Sequence, residues 1–248
     1  RTQETPRTDS ISLLEWSLAE ELQVEGSGFN AKVGVIGVVS DWLRLGIAYH
    51  SPTRLRVSET FVTRMESLFD NGTDFSRTSP TLSNSYVIRT PARLIGSASF
   101  VMGKAGIIVA DVERIDYGGG ELRPTAFAGL DAPNYNNVND VIADIHDVGY
   151  IARAGLELRV QKAYRLRFGA SYETSPYNTL TAVVTETLER YTATTGFGWR
   201  EGKYYLNAAY RRSWFSQDTY PFGNYVSDDP GVLKQSHGTV IFGAGVRL

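Results

Sequence analysis

From Tyr150 to Glu173 the chain reads YIARAGLELRVQKAYRLRFGASYE, and it separates cleanly when taken in twos. Tyr150, Ala152, Ala154, Leu156, Leu158 and Val160 alternate with Arg153, Gly155, Glu157 and Arg159. After QKAY the alternation resumes, with Tyr164, Leu166, Phe168, Ala170 and Tyr172 set against Arg165, Arg167, Gly169, Ser171 and Glu173. A period of two places successive side chains on opposite faces of a β-strand. The segment therefore predicts a hairpin with one apolar and one charged face. Three more segments repeat the design: Phe29 to His50 breaks at SDW, Ala92 to Tyr117 at GKAG, and Glu189 to Trp214 at REGK. Gly, Lys, Asp and Ser suit tight turns. ISLLEWSLAEEL and HGTVIFGAGVRL predict an opening and a closing strand, for about ten strands in all.

The links between these pairs are long: Ser51 to Pro91, Gly118 to Gly149, Thr174 to Leu188 and Phe215 to Ser236. One of them contains a predicted helix, Asn137 to His146, with Val138, Val141, Ile142 and Ile145 on one face. Structureless links of this length are uncommon inside a compact domain. Short turns at one end and long loops at the other are instead the habit of transmembrane barrels. No linker divides the chain, so residues 1–248 are read as a single β-barrel domain. Trp42, Tyr164, Trp199 and Tyr204 lie at the short turns, and Tyr49, Tyr117, Tyr172, Tyr191, Tyr210 and Trp214 lie toward the opposite strand ends. Two such rows are expected where strands meet lipid headgroups. The fold expected is all-β: an antiparallel transmembrane β-barrel of the outer-membrane type.

Composition narrows the chemistry. The chain has 248 residues, a formal net charge of -2, no Cys, and Arg spread along the strands rather than in a basic run. Nothing there points to nucleic acid, and thiol catalysis and disulfides are excluded. Mean hydropathy is -0.22, and no apolar run is long enough for a transmembrane helix. A barrel needs neither, because only every second residue meets lipid.

If the apolar face meets lipid, the other face lines a lumen. The expected lumen-lining residues are Lys32, Arg44, His50, Asp111, Glu113, Arg153, Glu157, Arg159, Arg165, Arg167 and Arg211. Charges of both signs predict cross-strand pairs that brace the wall. No G-x-S-x-G elbow supports a hydrolase, and the chain is read as a non-enzyme with no cofactor. DNGTD (Asp70 to Asp74) lacks the spacing and distal Glu of an EF-hand and reads as a solvated loop. Asp140 and Asp144 share a helical face and read as solvated, so no metal site is expected.

Gly26 to Val57, GSGFNAKVGVIGVVSDWLRLGIAYHSPTRLRV, carries Gly28, Asn30, Lys32 and Gly34, a turn, then Leu43, Arg44, Gly46, Tyr49, Ser51, Pro52 and Thr53. This resembles the outer-membrane long-chain fatty-acid and aromatic-hydrocarbon transporters, the FadL and toluene-channel family. Thr90 to Tyr117, with Asp111, Glu113, Asp116 and Tyr117, and LRFGASYETSPY (Leu166 to Tyr177) resemble later parts of that family in the same order. The resemblance implies a fourteen-stranded barrel with an N-terminal plug. This chain is then its C-terminal part, without the plug and first strands. It also implies a bacterial outer-membrane location, passive transport of hydrophobic small molecules, and membrane lipid and a hydrophobic ligand as partners. Phe61, Met65, Leu68, Phe69, Phe127 and Leu130 are expected to form an apolar ligand catchment among the outer loops. The alternative is a barrel scaffold subunit of an outer-membrane secretion or surface-assembly complex. A further expected partner is another chain completing the barrel, or a larger outer-membrane complex.

Overall fold

The structure is a computed structural model that describes residues 12–125, 133–178, 188–219 and 231–246. Its strands in chain order are β1 (Leu13–Phe29), β2 (Lys32–Val38), β3 (Leu43–His50), β4 (Arg54–Phe69), β5 (Asp74–Thr78), β6 (Leu82–Arg89) and β7 (Arg93–Val101). They continue with β8 (Gly106–Asp116), β9 (Glu121–Pro124), β10 (Val148–Arg159), β11 (Tyr164–Glu173), β12 (Glu189–Glu201), β13 (Tyr204–Thr219) and β14 (Gly231–Val246). A 3-10 turn covers Tyr117–Gly119, and the helix α1 covers Asn136–Ile145, one residue from its expected start.

The chain falls into two compact units. The larger contains a nine-stranded sheet in the order β14-β13-β12-β11-β10-β8-β7-β3-β2. Every pairing in it is antiparallel. The four expected hairpins are all present, and their short turns lie at the same end of the sheet. Gly103 and Gly202 take positive φ in two of these turns (56° and 55°), a conformation glycine adopts without a Cβ penalty. In the turn before β3, the Ser40 hydroxyl accepts from the Leu43 amide at 3.2 Å.

Register settles which residues share a face, since directly paired residues point the same way. One rung runs Ile36, Gly46, Ser97, Asp111, Arg153, Ser171, Thr192, Ser213 and His237. The opposite face carries Val35, Ile47, Ile108, Leu156, Phe168, Phe197 and Phe242. On that apolar face Tyr172, Tyr191 and Trp214 share a rung, and Tyr164 and Trp199 share another. Tyr164 and Tyr172 are eight residues apart on β11, roughly 26 Å along the strand. At the roughly 40° tilt of strands in a barrel wall this covers about 20 Å of height, within the apolar band of about 25 Å of an outer-membrane barrel. Tyr117 departs from the expected girdle. The 3-10 turn folds its ring over Gly149 on the polar face, where an added Cβ would come within 2.6 Å of the ring.

The smaller unit holds the sheet β1-β4-β6-β9, with β5 paired to β4. Here the expected loop from Ser51 to Pro91 is corrected: it contains β4, β5 and β6. With them, and with β9 in the expected loop from Gly118 to Gly149, the described residues hold fourteen strands rather than about ten. Leu55, Val57, Phe61 and Met65 alternate with Arg54, Arg56, Ser58, Arg64 and Glu66, which is itself a strand pattern. Glu59 and Val62 break the alternation, and the nearby Pro, Asn and Gly mimic a loop. β1 shows a cleaner version, with Trp16, Leu18, Leu22 and Val24 against Glu15, Ser17, Glu21 and Glu25.

Among the described glycines, Gly106 leaves least room between its position and another strand's backbone. A Cβ there would overlap the Glu157 carbonyl oxygen and lie 3.2 Å from Leu158 Cα, which are main-chain atoms that cannot swing away. Gly106→Ala is therefore expected to cost about 3 kcal/mol, at the high end for overpacking. Gly96, with nothing within 4 Å of the same test atom, should accept Ala with no loss. Denaturant midpoints of the two variants check the contrast, and equal midpoints contradict it.

Candidate functional site

All the charged residues expected to line a lumen lie on one face of the nine-stranded sheet. Lys32, His50 and Arg93 share the rung nearest the long-loop end. Asp111 and Arg153 share the rung described above. Arg44 and Arg211 share one nearer the short turns, running through Ser99, Val109, Gly155, Gly169 and Thr194. Glu157 faces Arg167, and Arg159 faces Arg165.

These residues form two ionic groups. In the first, Glu113 is 3% exposed and accepts from Arg93 at 3.1 Å and from Arg153 at 2.8 Å. Arg153 uses its other terminal nitrogen on Asp111, also at 2.8 Å. One guanidinium thus bridges two acids of β8, and a second shares the buried one. In the other group Glu157 takes Arg167 Nε at 2.9 Å and Arg165 Nε at 3.4 Å. Arg167 also donates to Asn207 Oδ1 at 3.0 Å. Farther along, Glu173 pairs loosely with Arg190 at 3.7 Å, and Arg211 Nε donates to the buried Ser213 at 3.3 Å. The network pairs every acid of these two groups with at least one arginine of the same face. Among the described residues Lys32, Arg44, His50 and Arg159 make no ion pair.

At the long-loop end α1 packs on the 3-10 turn. The Asn139 side chain accepts from the Leu122 amide at 2.8 Å and donates to the Leu122 carbonyl at 2.9 Å. His146 stacks on Tyr177 at 5.2 Å, and the Asn178 amide donates to the Ile145 carbonyl at 2.9 Å. Burial pushes the Tyr117 phenol above its ordinary pKa; Arg93 works against the rise, while Glu173 and Glu113 add to it. Val138 and Val141 of the helix remain exposed.

The expected catchment is placed differently. Phe61, Met65, Leu68 and Phe69 stand on the strand β4, not in a loop. Strand alternation sets Phe61, Met65 and Phe69 on one side and Leu68 on the other. Phe69 packs edge-to-face on Phe75 of β5 at 5.8 Å, and Met65 is half exposed. Phe127 and Leu130 lie outside the described residues. Sequence reasoning did not bring Gly198 beside Arg167, nor Asn207 to it as a partner. Only the pairing register brings those together.

A solved structure described as the CymD monoaromatic hydrocarbon channel superposes on 93% of this chain with a TM-score of 0.51, at 12% identity. The chain has the FadL-type outer-membrane β-barrel fold. It spans 66% of the length of that channel. A Pseudomonas aeruginosa FadL homologue covers 89% of the chain at 13% identity, with a TM-score of 0.48. No protein-family model matches the sequence. No curated protein matches it either.

Proposed function

We propose that this chain forms part of the wall of an outer-membrane channel through which hydrophobic small molecules, long-chain fatty acids or aromatic hydrocarbons, pass passively. The observation that carries this reading is the division of the nine-stranded sheet into two faces. One is apolar between two aromatic rungs except for Thr195 and Arg212, whose guanidinium lies over the Trp214 ring at 5.6 Å, and the other is held by internal ion pairs. In this reading the apolar face meets lipid, and Lys32, Arg44, Asp111, Glu113, Arg153, Glu157 and Arg167 border the lumen. The similarity in fold to a hydrocarbon channel supports the same class of cargo.

Phe61, Met65 and Phe69 offer apolar surface on which a ligand's methylenes would each contribute about 0.8 kcal/mol. The test is uptake into liposomes carrying the full-length protein. Labelled fatty acid and toluene should enter faster than into empty liposomes, with a rate that rises with protein density. Ion conductance without faster uptake of either probe would overturn the reading in favour of a polar pore.

A further inference from the structure

The short-turn end of the polar face carries more positive charge than it uses. Arg159 stands directly opposite Arg165 in the β10–β11 register, and like charges facing each other across a strand pair destabilise it. Arg167 is on the next rung, and Arg200 follows on β12, paired with Tyr205. Among the described residues of these rungs Glu157 is the sole carboxylate, and it is already shared between Arg165 and Arg167. Arg159 and Arg200 make no ion pair among the described residues.

This excess surrounds a recess of about 490 Å³, bordered by Arg165, Arg167, Arg200, Asn207 and Tyr205. Gly198, Trp199 and Val246 complete its lining. The Arg167 guanidinium lies across Gly198, 3.3 Å from where a Cβ would be, and the Tyr205 ring lies over Gly245 in the space a Cβ would need. Small residues at these points let the long side chains lie flat and leave the space above them open. A guanidinium is a planar fork of donors matched to a carboxylate or phosphate. Asn207 and Tyr205 add neutral polar groups.

We infer that this recess binds a small oxyanion, a carboxylate or phosphate group, with Arg165 and Arg200 as its principal ligands. The group could belong to a free solute or to a lipid headgroup. Its arginines, Asn207 and Tyr205 all stand on the polar face, so a free solute is the ligand assigned. This goes beyond the channel reading and does not depend on what the channel passes.

The experiment is calorimetric titration of the full-length protein, in uncharged detergent micelles, with inorganic phosphate and separately with hexanoate. Saturable binding of one or both is expected. Arg200→Gln removes a side chain with no ion pair, so the wall should stay folded while affinity falls about tenfold, the loss of one charge-assisted interaction. Glu157→Gln removes the competing carboxylate and should tighten binding. Arg44→Gln, outside the recess on the same face, should change nothing. Heat that is not saturable, or equal affinity in wild type and Arg200→Gln, overturns the site. Displacement of phosphate by phosphatidylglycerol added to the micelles overturns the assignment to a free solute.

Discussion

Phe168→Arg is expected to be among the most damaging single substitutions in this chain, while Ser97→Arg should be nearly silent. Both positions lie in the middle of a strand of the same sheet. Phe168 stands on the apolar face, between Leu156 and Thr195 on its rung, and is 47% exposed in the protein alone. In a bilayer that exposed surface meets hydrocarbon. An Arg there leaves a charge near the midplane, at a cost of about 2–4 kcal/mol in a barrel wall. Ser97 stands on the polar face with Gly46 on one side and Asp111 on the other. An Arg at Ser97 gains space from the glycine and an acid to pair with, so its cost should stay under about 1 kcal/mol. Urea unfolding of both variants in lipid vesicles measures the difference. Equal destabilisation would mean that the two faces do not see different solvents, and the fold would then have to be that of a water-soluble sheet.

Much of this face assignment was legible in the sequence because alternation is a local property. The hairpins of β2–β3, β7–β8, β10–β11 and β12–β13 could be read from period and turn residues alone. So could the membership of Asp111, Glu113, Arg153 and Glu157 in one polar face. Two things were not legible. β4 hides its alternation behind Glu59 and Val62, so a sixteen-residue strand resembled a loop. The partners of the charges depend on strand order, which places β8 against β10 across a link of more than thirty residues. Nothing local in the sequence says that Arg153 will meet Glu113 rather than Glu157. The recess beside Gly198 has the same origin: β11, β12, β13 and β14 must be in register before its lining comes together. The FadL-type resemblance pointed to the right fold without supplying either feature.

Glu113→Gln is expected to cost about 2–3 kcal/mol, more than any other single neutralisation on the polar face. The reasoning starts from burial. Glu113 is almost fully enclosed while its partners Arg93 and Arg153 are about half exposed. Removing one member of a buried ion pair costs about 3–5 kcal/mol, because the remaining charge is left without a partner. Here the remaining charges are on arginines that water can still reach, which pulls the figure to the lower end. Gln keeps the shape but turns an amide NH2 toward one of two guanidinium groups, donor against donor. Asp111→Asn should cost less, about 1 kcal/mol, since Asp111 is 30% exposed on its side chain and exposed pairs contribute little. The double change Glu113→Leu with Arg153→Leu removes acid and bridging cation together, and should recover part of the loss of Glu113→Leu alone, because an apolar pair of similar volume can replace a buried ion pair. A double-mutant cycle on unfolding free energies reads the coupling directly. A coupling near zero would show that the arginines reach water regardless of Glu113, and the polar face would then be a set of independent solvated charges rather than a braced wall.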